Sequence, residues 1–150
     1  MSTRGRQRGV AAVEFALVLT LLLALVHGIV TLGSILYLQQ AIARAAEDGV
    51  RAVALMPNGA TPDAQRVGDI VFDTLAGSLV VPAANAATFA SRRAWVTTHV
   101  QVAVAASGGV VTVSVTHWYS DNPLMPMAGM PWVPDAMTRQ ASMVLPAQPT

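Results

Sequence analysis

The hydrophobic residues of this 150-residue chain are concentrated near its N-terminus. Residues 15–38, FALVLTLLLALVHGIVTLGSILYL, form a run of 24 without Asp, Glu, Lys or Arg. As a helix, such a run extends about 36 Å, which is enough to cross a bilayer core of about 30 Å. The apolar part of a secretory signal peptide usually has only about 7 to 15 residues and ends at a small-residue cleavage site. Because this run is longer and lacks a clear Ala-x-Ala exit, it predicts a transmembrane helix.

Beyond residue 38 the pattern becomes that of an amphipathic helix. Charged residues share one face as two i,i+4 pairs of opposite sign: Arg44–Asp48 and Glu47–Arg51. Apolar or small residues occupy much of the remaining surface: Leu38, Ile42, Ala45, Ala46, Val50 and Val53. A Pro-Asn-Gly stop follows at residues 57–59. We therefore predict one N-terminal helix of roughly 45 residues, with residues 10–38 in the membrane and residues 39–56 as its amphipathic continuation.

Residues 61–150 are predicted to form a small exported α+β domain that begins with a second helix. Thr61 as N-cap and Pro62 at the first helical position mark the start of this helix. Its apolar stripe recurs at intervals of four residues: Val67, Val71, Leu75 and Leu79. We expect the helix to end near Pro82. Residues 83–93 are rich in alanine and show no usable pattern.

From Trp95 onwards the hydrophobic period is two, as in a β-sheet. A two-residue loop at Gly108 and Gly109 predicts a hairpin that aligns the apolar positions of its two strands. This register pairs valines across the hairpin: Val102 with Val115 and Val104 with Val113. A third strand is predicted at residues 137–145, where polar and apolar residues alternate. The expected fold is α+β, with a long N-terminal helix, a second helix and a small antiparallel sheet of about three strands.

The same register bears on two histidines. It places His99 opposite Trp118 and His117 opposite Val100, so the histidines face opposite sides of the hairpin, which disfavours a His–His metal site. Residues 121–135 contain four prolines and three methionines. They form either a loop that closes the core of the sheet or an adaptable contact with a neighbouring subunit or the membrane.

Charge is distributed unevenly along the chain. Arg4, Arg6 and Arg8 precede the first acidic residue, and from residue 10 onwards six Arg against eight Asp and Glu leave a charge of −2. By the positive-inside rule the N-terminus stays in the cytoplasm, so the C-terminal domain is expected on the outer side of the membrane. There is no broad basic surface, so we expect no nucleic-acid partner.

No catalytic constellation is recognisable in the sequence. The chain has no Cys, and it lacks GxSxG, HExxH, the GxxxxGK[ST] phosphate loop and the Gly-rich dinucleotide fingerprint. We therefore expect a protein that is not an enzyme and has no cofactor and no metal site.

Glu14 is the unusual residue of the N-terminal segment, because it lies in VAAVEFALV at the edge of the apolar run. An unpaired carboxylate inside a membrane is costly, which makes Glu14 a functional candidate. At headgroup depth the same carboxylate is simply hydrated. Position alone leaves both interpretations open.

Residues 8–54 resemble the TadE-like family of tight-adherence (Tad/Flp) pilus proteins at three places. The run GVAAVEF at residues 9–15 is similar to the prepilin peptidase motif, in which a Gly precedes the cut, a Glu lies five residues later and an aromatic follows. Gly28, Gly33 and Tyr37 are similar to the second block of the family, and residues 45–51 (AAEDGVR) to its third.

The resemblance implies a pseudopilin, a minor pilin-like subunit of a tight-adherence type IV pilus, anchored in the bacterial inner membrane. Prepilin peptidase would cut after Gly9, remove the basic leader at residues 1–9 and leave a new amino group on Val10. Glu14, followed by the motif aromatic Phe15, could then pair with the N-terminal ammonium of an adjacent subunit.

The implied partners are other pilin or pseudopilin subunits, prepilin peptidase and the inner-membrane pilus assembly platform. Incorporation into an extracellular pilus would follow. The alternative is an uncleaved single-pass membrane scaffold or assembly factor of the envelope, which does not require the spacing between Gly9 and Glu14.

Overall fold

The computed structural model describes residues 4–56, 62–121 and 134–145, with side chains from residue 9 onwards. The elements follow in this order: α1 (Arg4–Ala54), α2 (Ala64–Ala76), a 3₁₀ turn (Ala83–Asn85), α3 (Phe89–His99), β1 (Val100–Ser107), β2 (Val110–Trp118) and β3 (Ala136–Val144). A long apolar N-terminal helix, further helices and a three-stranded antiparallel sheet confirm the predicted α+β class. The described chain divides into two units, one up to Ser34 and one from Ile35 onwards.

Helix α1 is 51 residues long and begins before the predicted start at residue 10. In its first unit, hydroxyl groups of the apolar run donate to carbonyls of the same helix. Thr20 Oγ1 bonds the Ala16 carbonyl at 2.8 Å, and Thr31 Oγ1 bonds the His27 carbonyl at 2.8 Å. A hydroxyl group transferred to lipid is costly unless it is hydrogen-bonded, so these bonds suit an apolar environment.

The second unit has one hydrophobic core, and the end of α1 supplies a large part of it. The apolar face predicted from the sequence is buried, which confirms that prediction: Leu38, Ile42, Ala45, Ala46, Val50 and Val53. Residues of α2 and of the central strand β2 complete the core: Val67, Val71, Leu75, Val111, Val113 and Val115. Arg139 of β3 adds a polar link to α1, since its Nη2 donates to Gln39 Oε1 at 2.6 Å.

The charged face of α1 differs from its prediction. Between described residues, Asp48 pairs with Arg51 at 3.9 Å, in place of the two i,i+4 pairs expected from the spacing. The hydroxyl of Thr74 in α2 also donates to Asp48, at 3.4 Å. The position of the Asp48 carboxylate thus depends on a contact with α2, which the spacing of charges within α1 does not reveal.

Helix α2 begins and ends elsewhere than predicted. Its N-cap is Asp63, whose carboxylate accepts from the backbone N–H of Gln65 at 3.0 Å and of Arg66 at 3.2 Å, whereas Thr61 lies outside the described residues. The helix ends at Ala76 and not near Pro82. Leu79 therefore leaves the apolar stripe and is exposed, because the helical period no longer applies to it.

A third helix occupies residues for which the sequence predicted a connector and the start of a strand. Thr88 and Ser91 form a capping box that begins α3. Trp95 and Val96 are buried in this helix, so the strand starts only at Val100. The prediction of a strand from Trp95 was wrong, because these two residues suit a buried helical face as well as a sheet.

Arg93 joins α3 to α2 through two carboxylates. Its Nε donates to Asp73 and its Nη2 to Asp69, both at 2.6 Å. These hydrogen bonds, with Asp73 contributing more than Asp69, raise the pKa of the guanidinium above its ordinary value. Arg93 therefore stays charged and holds the two helices together at the surface.

The sheet has the order β1-β2-β3, and its hairpin register is the predicted one. Val102 pairs with Val115 and Val104 with Val113, around the Gly108-Gly109 turn. The third strand also lies where it was predicted, shifted by one residue. Of the segment at 121–135, residues 122–133 lie outside the described chain, so its two interpretations stay predictions.

Of the two histidine positions predicted from the hairpin register, one is confirmed and the other is wrong. His117 lies opposite Val100 as expected, but His99 ends α3 and belongs to no strand. Both imidazoles lie beside Trp95, with ring centroids 4.4 Å away for His99 and 5.8 Å away for His117. Helix α3 thus places His99 beside the same tryptophan as His117, and not on the opposite side of the hairpin.

Candidate processing and assembly site

The predicted processing residues lie together on the exposed surface of α1. Gly9, Val10, Glu14 and Phe15 are helical, and all four are exposed. A Cβ atom added to Gly9 would meet no atom within 4 Å. No residue of the described chain therefore covers Gly9, the residue before the predicted cut.

Val10 and Glu14 are four residues apart, so they lie on the same side of the helix, about 6 Å apart along its axis. Among the side chains that the structure describes, none pairs with the Glu14 carboxylate. An amino group created at Val10 would thus appear one turn away from an acidic group on the same helical face. A cut after Gly9 would therefore leave one positive and one negative group near the new N-terminus.

The basic leader contributes Arg4, Arg6 and Arg8, which belong to the first turns of α1. Their side chains lie outside the described part, so the topology prediction based on these charges stays a prediction.

Helix α1 is long and apolar enough to cross a membrane, judged by the length and composition of Gly9–Ala54. Large hydrophobic side chains cover the first unit of the helix and are exposed: Val13, Phe15, Leu17, Val18, Leu21, Leu22 and Leu25. Water is a poor solvent for such a surface, whereas lipid chains or neighbouring apolar helices suit it.

The glycines of α1 fall into two kinds. A Cβ atom added to Gly28 or Gly33 would meet no atom of the described chain within 4 Å, so these positions leave shallow gaps on the first unit of the helix. At Gly49 the same atom would lie 2.9 Å from Val71 Cγ2, because α1 packs closely against α2 there. Small residues on an apolar helix allow close approach of a second helix. Gly28 and Gly33 are thus available to a neighbour, whereas Gly49 is occupied within the domain.

The first part of the chain is similar to a known protein family. Residues 9–51 match the TadE-like protein family. The match begins at the predicted cleavage glycine and ends with Arg51, the last residue of the third block, so the resemblance drawn from the sequence is confirmed over all three blocks. Neither a curated protein nor a solved structure matches the chain.

The TadE-like match supports a protein associated with a tight-adherence pilus system. Together with the single apolar N-terminal helix, it fits a membrane-anchored pilus protein. The TadE-like residues extend from the apolar run into the core of the second unit. They therefore include both the candidate anchor and the helical face on which residues of α2 and β2 pack.

Two residues of the TadE-like segment have structural roles that sequence reasoning missed. The Tyr37 hydroxyl accepts a hydrogen bond from the backbone N–H of Leu79 at 2.9 Å, and Gly49 permits the close contact with Val71. Tyr37 stands near the end of the apolar run, and Gly49 interrupts a helical face of good helix formers. These departures from the surrounding pattern were the available signals.

Proposed function

We propose that this chain is a minor pilin-like subunit, a pseudopilin, of a tight-adherence type IV pilus. It inserts into the bacterial inner membrane with its N-terminus in the cytoplasm and its α+β domain in the periplasm. Prepilin peptidase then removes residues 1–9, and the subunit joins the assembly platform and other pilin-like subunits. Its role is structural, without catalysis or a cofactor.

The observation that carries this proposal is the spacing between Gly9 and Glu14 at the start of the TadE-like match. A glycine allows the backbone to approach a peptidase closely. The exposed position of Gly9 on α1 agrees with that requirement. Glu14, one turn beyond Val10, supplies the carboxylate that an ammonium of an adjacent subunit could meet.

The experiment is to determine the N-terminal residue of the mature protein by mass spectrometry of membrane fractions, with and without prepilin peptidase. We expect a start at Val10 only when the peptidase is present. Gly9→Leu should abolish the cut. Gly5→Leu is the matched control, since it makes the same change at a glycine that also follows an arginine, and it should leave the cut intact.

An intact N-terminus in both strains would contradict the proposal. It would favour the uncleaved single-pass scaffold or assembly factor, which needs the anchor and the periplasmic domain but no processing. Cleavage at another residue would contradict the assignment of Gly9 while retaining a processed subunit.

A further inference from the structure

The turn that follows α2 is tied to α1 through one tyrosine. The backbone N–H of Leu79 donates to the phenolic oxygen of Tyr37, with an N···O distance of 2.9 Å. Both residues belong to the second unit. Leu79 is thereby held beside the turn of α1 that carries Tyr37.

Tyr37 stands at the end of the apolar run of residues 15–38. Tyrosine is enriched where a membrane meets water, because its ring suits the apolar side and its hydroxyl the polar side. In a bilayer crossed by that run, Tyr37 lies at the outer headgroup level. The hydrogen bond then brings the Leu79 backbone to the same level.

The Leu79 side chain is 75% exposed at this level. A lone exposed leucine is ordinary on a protein surface, so exposure in itself indicates nothing. Leu79 differs from an ordinary exposed leucine in its location, because an apolar side chain at the headgroup boundary can contact lipid. Leu55 provides the comparison: it is 83% exposed, but it follows the far end of α1.

A groove of about 490 Å³ lies beside Tyr37 and is lined by residues of α1 and of the end of α2. Arg44 of α1 contributes a guanidinium to the groove. Asp73 contributes a carboxylate that also accepts from Arg93 Nε at 2.6 Å, and Ser78 contributes a hydroxyl that donates to the Leu75 carbonyl at 2.7 Å. The C-terminal end of a helix also favours a positive group. The groove therefore offers partners of both signs, as a zwitterionic headgroup with a phosphate and an ammonium requires.

We propose that Leu79 and this groove form a contact with the outer leaflet of the inner membrane. The Leu79 side chain enters the boundary between headgroups and acyl chains, and a phospholipid headgroup occupies the groove, with its phosphate at Arg44 and its ammonium at Asp73. The proposal rests on the membrane anchor of the proposed function and is independent of cleavage and of pilus assembly.

The chain has no cysteine, which permits single-cysteine labelling of the full-length protein. Leu79→Cys, labelled with the fluorophore NBD, is reconstituted into phosphatidylethanolamine–phosphatidylglycerol vesicles that contain lipids with a nitroxide at the headgroup level. The matched control is Leu55→Cys with the same label, about 27 Å further along the helix direction from Tyr37. We expect several-fold stronger quenching and a blue-shifted emission at position 79. In the labelled Leu79→Cys background, Arg44→Gln should reduce the quenching.

Equal quenching and water-like emission at positions 79 and 55 would overturn the contact. So would protection of position 79 that appears only when other pilin-like subunits are added, because the surface would then bind protein.

A label at Leu25→Cys, in the middle of the apolar run, distinguishes failure of the outer-leaflet contact from failure of the membrane anchor. If lipids with a nitroxide in mid-chain quench position 25 while position 79 stays aqueous, only the outer-leaflet contact is wrong. If neither position is quenched, the membrane anchor is wrong as well.

Discussion

Gly49 of α1 lies directly against Val71 of α2, since a Cβ atom added to the glycine would be 2.9 Å from Val71 Cγ2. The same atom would approach Val113 Cγ1 of β2 to 3.1 Å and Val67 Cγ1 to 3.3 Å. A glycine inside a helix costs roughly 0.5–1 kcal/mol relative to alanine, so its presence there needs a reason. The close packing of α1 against both α2 and β2 provides it.

Gly49→Ala should therefore destabilise the protein, although alanine is the better helix former. The added methyl group meets three valine side chains from two elements, and overpacking of this kind typically costs about 1–3 kcal/mol. The free energy of unfolding of the full chain in detergent, measured by urea titration with circular dichroism, checks this.

Gly68→Ala is the control for Gly49→Ala. A Cβ atom at Gly68 of α2 would lie 3.7 Å from Phe72 Cε2, an ordinary van der Waals distance. We expect this variant to be stabilised by about 0.5–1 kcal/mol through helix propensity alone. If both substitutions stabilise the protein, the close contact at Gly49 is not a constraint on the fold.

The hairpin turn depends on two glycines with positive φ, +58° at Gly108 and +77° at Gly109. Gly109→Ala should cost about 1–2 kcal/mol, because an L-residue with a Cβ atom is strained in this region. Among the residues that the structure describes, none comes within 4 Å of a Cβ at either position, so backbone strain is the expected source of the effect. Thermal unfolding followed by circular dichroism measures it.

Gly108→Asn is the matched control in the same turn. Asn-Gly is a preferred pair for a two-residue hairpin loop, and asparagine tolerates the left-handed region. We expect a change within about 0.5 kcal/mol. A large loss of stability from Gly108→Asn together with none from Gly109→Ala would contradict this assignment of the turn.

Glu14→Gln should reduce incorporation of the subunit into pili while membrane insertion stays unchanged. Loss of one partner of a charge pair in a low-dielectric environment leaves the other charge unpaired, typically at a cost of about 3–5 kcal/mol. The measurement is the ratio of this subunit in sheared pili to that in the membrane, by quantitative immunoblot.

Glu47→Gln makes the same chemical change at the other glutamate of the chain, which is exposed on the second unit. We expect incorporation to be unaffected by this variant. Normal incorporation of Glu14→Gln would show that the carboxylate is simply hydrated, the other interpretation that its position allowed.

Elements whose pattern is local and repeated were predictable. The apolar face from Leu38 to Val53 repeats over several turns, so its burial follows from the helical period. The hairpin register follows from Gly108-Gly109 and from the alternation of valines on either side. In both cases the residues that determine the structure are close together in the chain.

Helix α3 and the end of α2 could not be located in the same way. Trp95 and Val96 suit a buried face in either a helix or a strand, and the capping box of Thr88 and Ser91 lies in an alanine-rich region without other signals. Leu79 continues the apolar stripe of α2 in sequence, yet the helix ends three residues earlier. The folded chain resolved these ambiguities through packing on partners distant in sequence.

The sequence by itself determined the candidate anchor, the TadE-like segment and the candidate processing motif around Gly9 and Glu14, because these depend on the composition and spacing of one continuous helix. Only the tertiary structure decided that Gly49 meets Val71, that His99 and His117 lie beside the same tryptophan, and that Tyr37 holds Leu79. Gly49 and Val71 are 22 residues apart along the chain, as are Trp95 and His117, and Tyr37 and Leu79 are 42 apart. Such contacts depend on how several helices and strands fill one core, which no local period encodes.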